Sequence, residues 1–166
     1  MHGLSNLRHK RLAVATVLVP FALTGSVAAA ASGGSPAAAP PPVVQLLSRG
    51  AVAAPFEAKA HGIELSAKRR IDVAVAHLIF QPGSSTGWHQ HPGPTVVTIT
   101  TGELTVTDSE CSSRTYPAGS TFVEEGPPRH VAVNTADITT ETIVTFFVPR
   151  EATALSLPVP APKCAA

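Results

Sequence analysis

From Ile63 to Val148 the chain is a succession of short β-rich runs cut by turn residues, and that rhythm leaves few folds open. Ile71 to Phe80 is rich in β-branched and apolar residues and stops at Gln81-Pro82-Gly83. Thr95 to Thr101 and Leu104 to Thr107 flank Gly102-Glu103, a two-residue connection that predicts a tight hairpin. Tyr116-Pro-Ala-Gly119 predicts a turn, followed by strands over Ser120 to Val123, His130 to Asn134 and Glu141 to Val148. Only Val43 to Arg49 reads as a helical turn. Many short strands at regular spacing predict an all-β antiparallel sandwich or barrel.

At 166 residues there is room for a single domain with a real core. The formal net charge is only +1, so no basic surface points to nucleic acid. The basic cluster Arg8-His9-Lys10-Arg11, the apolar run Leu12 to Val27 and the small residues Ala28 to Ser32 describe a secretory signal peptide. The expected organisation is a signal peptide over 1–31, a Pro/Ala-rich linker over 32–48, a folded domain over 49–150 and a tail over 151–166. The mature protein is then secreted or extracytoplasmic, soluble, and not embedded in a membrane. Removing Arg8, Lys10 and Arg11 with the leader makes it mildly acidic.

An exported chain meets oxidising conditions, which bears on its two cysteines, Cys111 in a polar loop and Cys164 near the C-terminus. A disulfide between them would pin the proline-rich tail; two unpaired thiols are the alternative, which spacing alone does not exclude.

The chemistry concentrates in Gly83-Ser-Ser-Thr-Gly-Trp-His89-Gln-His91. On a strand, residues i and i+2 share a face, so His89 and His91 aim both imidazoles into one space. Further on, His130 follows Gly119 and precedes Asn134.

These residues resemble the two motifs of the cupin superfamily. The first motif is Gly, five residues, His-x-His, three or four residues, Glu, six residues, Gly; Gly83, His89, His91 and Gly102 match it, with Thr95 at the position of the Glu ligand. The second is Gly, five residues, Pro-x-Gly, two residues, His, three residues, Asn; Gly119, His130 and Asn134 keep its spacing, while Glu125 and Pro127 replace Pro and Gly. The resemblance implies a cupin-type jelly-roll barrel in which His89, His91 and His130 converge on a divalent transition metal (Fe, Mn, Zn, Ni or Cu). Imidazole suits these ions, and three protein ligands leave positions open to water or substrate. The alternative is a pocket that no longer carries its metal.

With Thr95 in place of a carboxylate, three neutral histidines leave a bound divalent ion near net +2, favouring an anionic or chelating small molecule. Adding an acidic side chain at 95 is then expected to raise metal affinity. Thr95 either holds a metal-bound water or packs as an ordinary strand residue. Glu124 or Glu125 offers a carboxylate behind the ligands, or forms a solvated turn. Asn134 is expected to brace a strand or turn. His77 alternates with Val73, Val75 and Ile79 and is expected to face inward as a hydrogen-bonded residue. Trp88 should face away from His89, near the pocket mouth, and His61 carries no role. No catalytic residue is assigned. The family resemblance implies a dioxygenase or isomerase acting on a small anionic molecule. A non-catalytic module binding a metal or small ligand uses the same residues, and a structural role would leave the pocket vestigial. A homodimer is compatible with either.

Overall fold

The structure, a computed structural model, describes residues 38–53 and 55–165; the leader expected over 1–31 lies outside them. The described residues form twelve strands and one short 3-10 turn, Lys163–Ala165. The strands are β1 (Val43–Val52), β2 (Phe56–Ala60), β3 (Ile63–Ala67), β4 (Ile71–Phe80), β5 (His89–Gln90) and β6 (Thr95–Thr101). They continue as β7 (Glu103–Thr107), β8 (Ser113–Pro117), β9 (Thr121–Glu124), β10 (Val131–Val133), β11 (Thr140–Pro149) and β12 (Leu157–Pro158). No helix among the described residues is long and apolar enough to cross a membrane.

A five-stranded sheet in the order β1-β4-β11-β6-β9 packs against a three-stranded sheet, β10-β7-β8. Along β11 every second residue is buried, from Thr140 through Val148, which is the period-two signature of a strand with one face in the core. The core joins both sheets: Ala74, Phe80, Ile99 and Val148 come from the larger, Leu104 and Ala132 from the smaller. The strands do not close by hydrogen bonds into the expected barrel. Between β5 and β10 the pairing shrinks to isolated bridges, Ser85 with Val133 and His89 with His130. Prolines 82, 92 and 94 flank this stretch, and proline cannot donate to a ladder.

Two sequence expectations are corrected here. Gly102-Glu103 is a corner rather than a hairpin turn, because β6 pairs with β11 and β9 while β7 pairs with β10 and β8. Gly102 has φ +71°, and a Cβ there would meet Thr140 Oγ1 at 2.5 Å; the chain bends sharply and changes sheet. Val43 to Arg49 is strand rather than helical turn, and β1 lies partly inside the stretch read as linker. Its residues pair with β4 from Val43↔Ile79 to Val52↔Ile71, across an irregularity between Leu46 and Ser48, and that ladder supplies partners a lone helical turn lacks. The β2–β3 hairpin turns at His61-Gly62, with φ +51° and +81°, a positive-φ pair suited to a two-residue turn.

Cys111 and Cys164 form a disulfide, so the tail is fastened to the β7–β8 loop. Upstream of that fastening, β12 pairs with β5, Leu157 opposite Gln90 and Pro158 opposite His89. The tail is a strap across the histidine segment.

One close approach fixes the loop between the motif residues. A Cβ on Gly93 would lie 2.1 Å from the Phe147 carbonyl oxygen, and neither backbone can yield cheaply. Gly93→Ala is expected to destabilise the protein by about 3 kcal/mol, against about 1 kcal/mol for Gly83→Ala, where only the left-handed backbone is penalised. Urea unfolding of the two variants checks this; equal, small losses would show that the loop is free to move.

Candidate metal centre

The three histidines are placed by backbone pairing. His89 and His130 are directly opposite, each N–H donating to the other's carbonyl at 2.9 Å. The His91 N–H donates to the Gly126 carbonyl at 3.0 Å. The rings follow: centroids of His89 and His130 are 4.3 Å apart, His89 and His91 4.8 Å, His91 and His130 5.1 Å. All three residues are 6% exposed. Their candidate ligand atoms lie within 4.8 Å of one another.

What lies behind the rings decides which nitrogen faces the centre. His89 Nδ1 is 3.0 Å from the Gly87 carbonyl, His91 Nδ1 2.7 Å from Leu155, and His130 Nδ1 3.1 Å from Pro128. A carbonyl oxygen only accepts, so each Nδ1 carries the proton and donates it. A neutral ring bonded in this way presents the Nε2 lone pair inward, as a metal ligand must. His130 Nε2 is buried without a hydrogen-bond partner. An orphaned acceptor of this kind costs free energy unless something electropositive is set against it. The donor set fits a divalent transition ion.

Glu124 completes the polar end. Its Oε2 lies 3.1 Å from His91 Nε2 and its Oε1 3.2 Å from His130 Nε2, with the carboxylate only 12% exposed. Thr95 is fully buried, and its hydroxyl reaches only the Gly93 carbonyl, at 3.5 Å. It directly faces Glu124 across the β6–β9 ladder.

No family model matches this chain, and no curated protein does. Among solved structures it is similar to an oxalate oxidase in complex with glycolate, at 27% identity and a TM-score of 0.41 over 44% of this chain and 40% of that one. It is also similar to a cupin domain from Bordetella pertussis, at 19% identity and a TM-score of 0.47 over 67% of this chain and 97% of that one. A third is an uncharacterized protein with a double-stranded β-helix domain from Klebsiella pneumoniae, at 18% identity and 0.49 over 70% and 84%. The chain spans less than half the length of the oxalate oxidase. Both motif segments, far apart in sequence, meet ring to ring at one centre.

The remaining polar candidates sort by contact. Asn134 is fully buried; its Nδ2 donates to the Phe80 and Ile138 carbonyls at 3.0 and 2.8 Å, and its Oδ1 accepts from the Ala136 N–H. It braces the turn after β10, as expected. His77 does not face inward: the buried residues of β4 are Ala74, Ala76 and Phe80, and His77 pairs on the other face with Glu141 at 2.9 Å. Trp88 is half-buried outside the cavity lining, and Glu125 is exposed. Glu124 is the site residue whose position against the rings the sequence left undecided. Its direction depends on which strand β9 joins, and no local pattern states that.

Beside the histidines is a cavity of about 40 Å³, walled mainly by apolar side chains such as Leu78, Phe80, Val97 and Phe146. The Thr142 hydroxyl lies in this lining, buried and without a partner.

Burial pushes the His89 imidazole from 6.5 down to about 4, helped by His130 and His91 and opposed by the Gly87 carbonyl and Glu124. His89 is therefore neutral and competent as a ligand at neutral pH. The unfolded chain binds the extra proton between these values, so this contribution to stability is full above pH 6.5 and is lost as pH falls towards 4. For the metal-free protein the loss is on the order of 3 kcal/mol. Urea unfolding across this range should show a slope that His89→Asn reduces; identical slopes would rule His89 out as its source.

Proposed function

We propose that this chain is an exported cupin that holds a divalent transition metal through His89, His91 and His130 and acts on a small anionic molecule by dioxygenase or isomerase chemistry. The observation that carries the reading is the set of three buried Nε2 lone pairs on one centre, each ring fixed from behind by a backbone carbonyl. When bound there, the metal supplies a Lewis-acid centre with open positions for a chelating carboxylate or enolate.

The chain's own residues provide the rest. His89, His91 and His130 bind and orient, and their hydrogen bonds to Gly87, Leu155 and Pro128 hold the donor directions before any ligand arrives. The mainly apolar walls enclose about 40 Å³, which suits a guest of a few non-hydrogen atoms. Thr142, also in the lining, has a hydroxyl that is otherwise unsatisfied and is available to that guest. Glu124 revises the charge expected from sequence: three neutral rings and one carboxylate leave a divalent ion near net +1 rather than +2. An anion is still favoured. Export is supported by the basic and apolar N-terminal pattern and by the Cys111–Cys164 disulfide, which suits an oxidising compartment.

The test is metal analysis of the purified protein, then dioxygen uptake and product analysis with a panel of small carboxylic acids and diketones. Turnover that requires the bound metal and is lost in His130→Ala supports an enzyme. Metal-dependent binding of an acid with no turnover would leave a binding module and contradict the catalytic part.

A further inference from the structure

Glu124 and Thr95 occupy one rung of the β6–β9 ladder. Residues directly opposite on antiparallel strands point to the same face, with Cβ atoms about 5 Å apart. A carboxylate transferred from position 95 to position 124 thus enters the same pocket from one strand further over, and a glutamate side chain spans that offset. The structure shows such an arrangement: the Thr95 hydroxyl bonds the Gly93 carbonyl and no ring, while both Glu124 oxygens reach the rings, at 3.1 and 3.2 Å.

Those two contacts are not ordinary hydrogen bonds. His130 Nε2 has no hydrogen-bond partner even though a carboxylate oxygen is 3.2 Å away. When the rings are neutral, as ligands must be, with Nδ1 carrying the proton, Nε2 and the carboxylate are both acceptors, and two buried acceptors face to face repel. A cation between them removes the conflict. Adjacent ligands held about 2.1 Å from one ion at right angles are about 3 Å apart, which matches the observed separations.

We infer that Glu124 is the fourth, anionic ligand of the metal centre, in place of the family glutamate missing at Thr95. This rests on the three-histidine reading above. It makes the site three-nitrogen, one-oxygen after all, with the carboxylate supplied by β9 and not by β6. Glu124 also explains why Thr95 is tolerated: a hydroxyl leaves room on the rung for the neighbouring carboxylate. Thr95→Glu alone puts two carboxylates on that rung, so the gain in affinity expected from sequence should not appear.

The experiment is calorimetric titration of the chelator-stripped full chain with Mn(II) and separately with Zn(II). The proteins are wild type, Glu124→Gln and the exchange variant Thr95→Glu/Glu124→Thr, each checked for native circular dichroism. Glu124→Gln should weaken Mn(II) about tenfold to a hundredfold and Zn(II) less, because Mn(II) depends more on carboxylate donors. The exchange variant should recover most of the Mn(II) affinity by restoring the carboxylate from β6. A purely structural Glu124 would weaken both metals alike and gain nothing from the exchange, and that result overturns the assignment. Unchanged affinity in Glu124→Gln overturns it too, with the three histidines untouched. A wild-type protein that takes up neither metal overturns the histidine reading itself, and is thereby distinguishable.

Discussion

Alanine at His89, His91 or His130, one position at a time, is expected to abolish stoichiometric metal binding while the β-sheets remain folded. A well-formed structural zinc site is worth about 10–16 kcal/mol; one ligand of four then accounts for roughly 3 kcal/mol, or about a hundredfold to a thousandfold in affinity. The fold should survive because its largest fully buried apolar side chains, Phe80, Ile99 and Val148, lie on strands that pair independently of the rings. Metal content of dialysed protein, with far-ultraviolet circular dichroism as the folding control, checks the expectation. A variant that keeps its full metal content excludes that histidine from the site.

The second large effect concerns the strap. Cys111 and Cys164 are 53 residues apart in sequence, and opening a loop of that size costs about 4 kcal/mol in the chain-entropy account. The consequence extends to the metal centre, because the strap carries the Leu155 carbonyl that accepts from His91 Nδ1 at 2.7 Å. Its hold on the site also includes the Val159 N–H donating to the Trp88 carbonyl and the Arg129 guanidinium donating to the Pro160 carbonyl. Cys111→Ser and Cys164→Ser should each lower the unfolding free energy by about 4 kcal/mol. Each should also weaken metal binding about tenfold to a hundredfold, the usual cost of losing a partner behind a ligating histidine. Denaturant unfolding and metal titration of the two variants, matched against wild type treated with dithiothreitol, give three independent measures. Full metal affinity in all three would show that the strap orients His91 without the disulfide.

Much of this was legible because the relevant signals are local. Ile71 to Phe80 and Thr95 to Thr101 are strands over the lengths their β-branched composition predicts. The His-x-His pair and His130 announced a shared centre because motif spacing encodes a three-dimensional meeting. What was not legible depends on partners. Val43 to Arg49 has no local pattern of a strand, and it is one only through β4. Gly102 looked like a hairpin tip because a positive-φ glycine serves a tight turn and a sheet-to-sheet corner equally well. The pairing of the tail left no local signal, since Pro158 and its neighbours advertise irregularity. Its pairing with His89 and Gln90 is short and requires few N–H donors. Glu124 was hidden for the same reason as β1: its orientation is set by the rung it shares with Thr95, a fact about pairing and not about sequence neighbours.

The central claim is one metal on three imidazoles, and X-ray absorption at the metal edge tests it most directly. The protein should be purified without chelator and supplied in turn with Fe, Mn, Zn, Ni and Cu. The account predicts close to one bound ion per chain, with three imidazole nitrogens at about 2.0–2.2 Å. Protein that binds none of the five, or binds one with a shell containing fewer than three imidazoles, would contradict it.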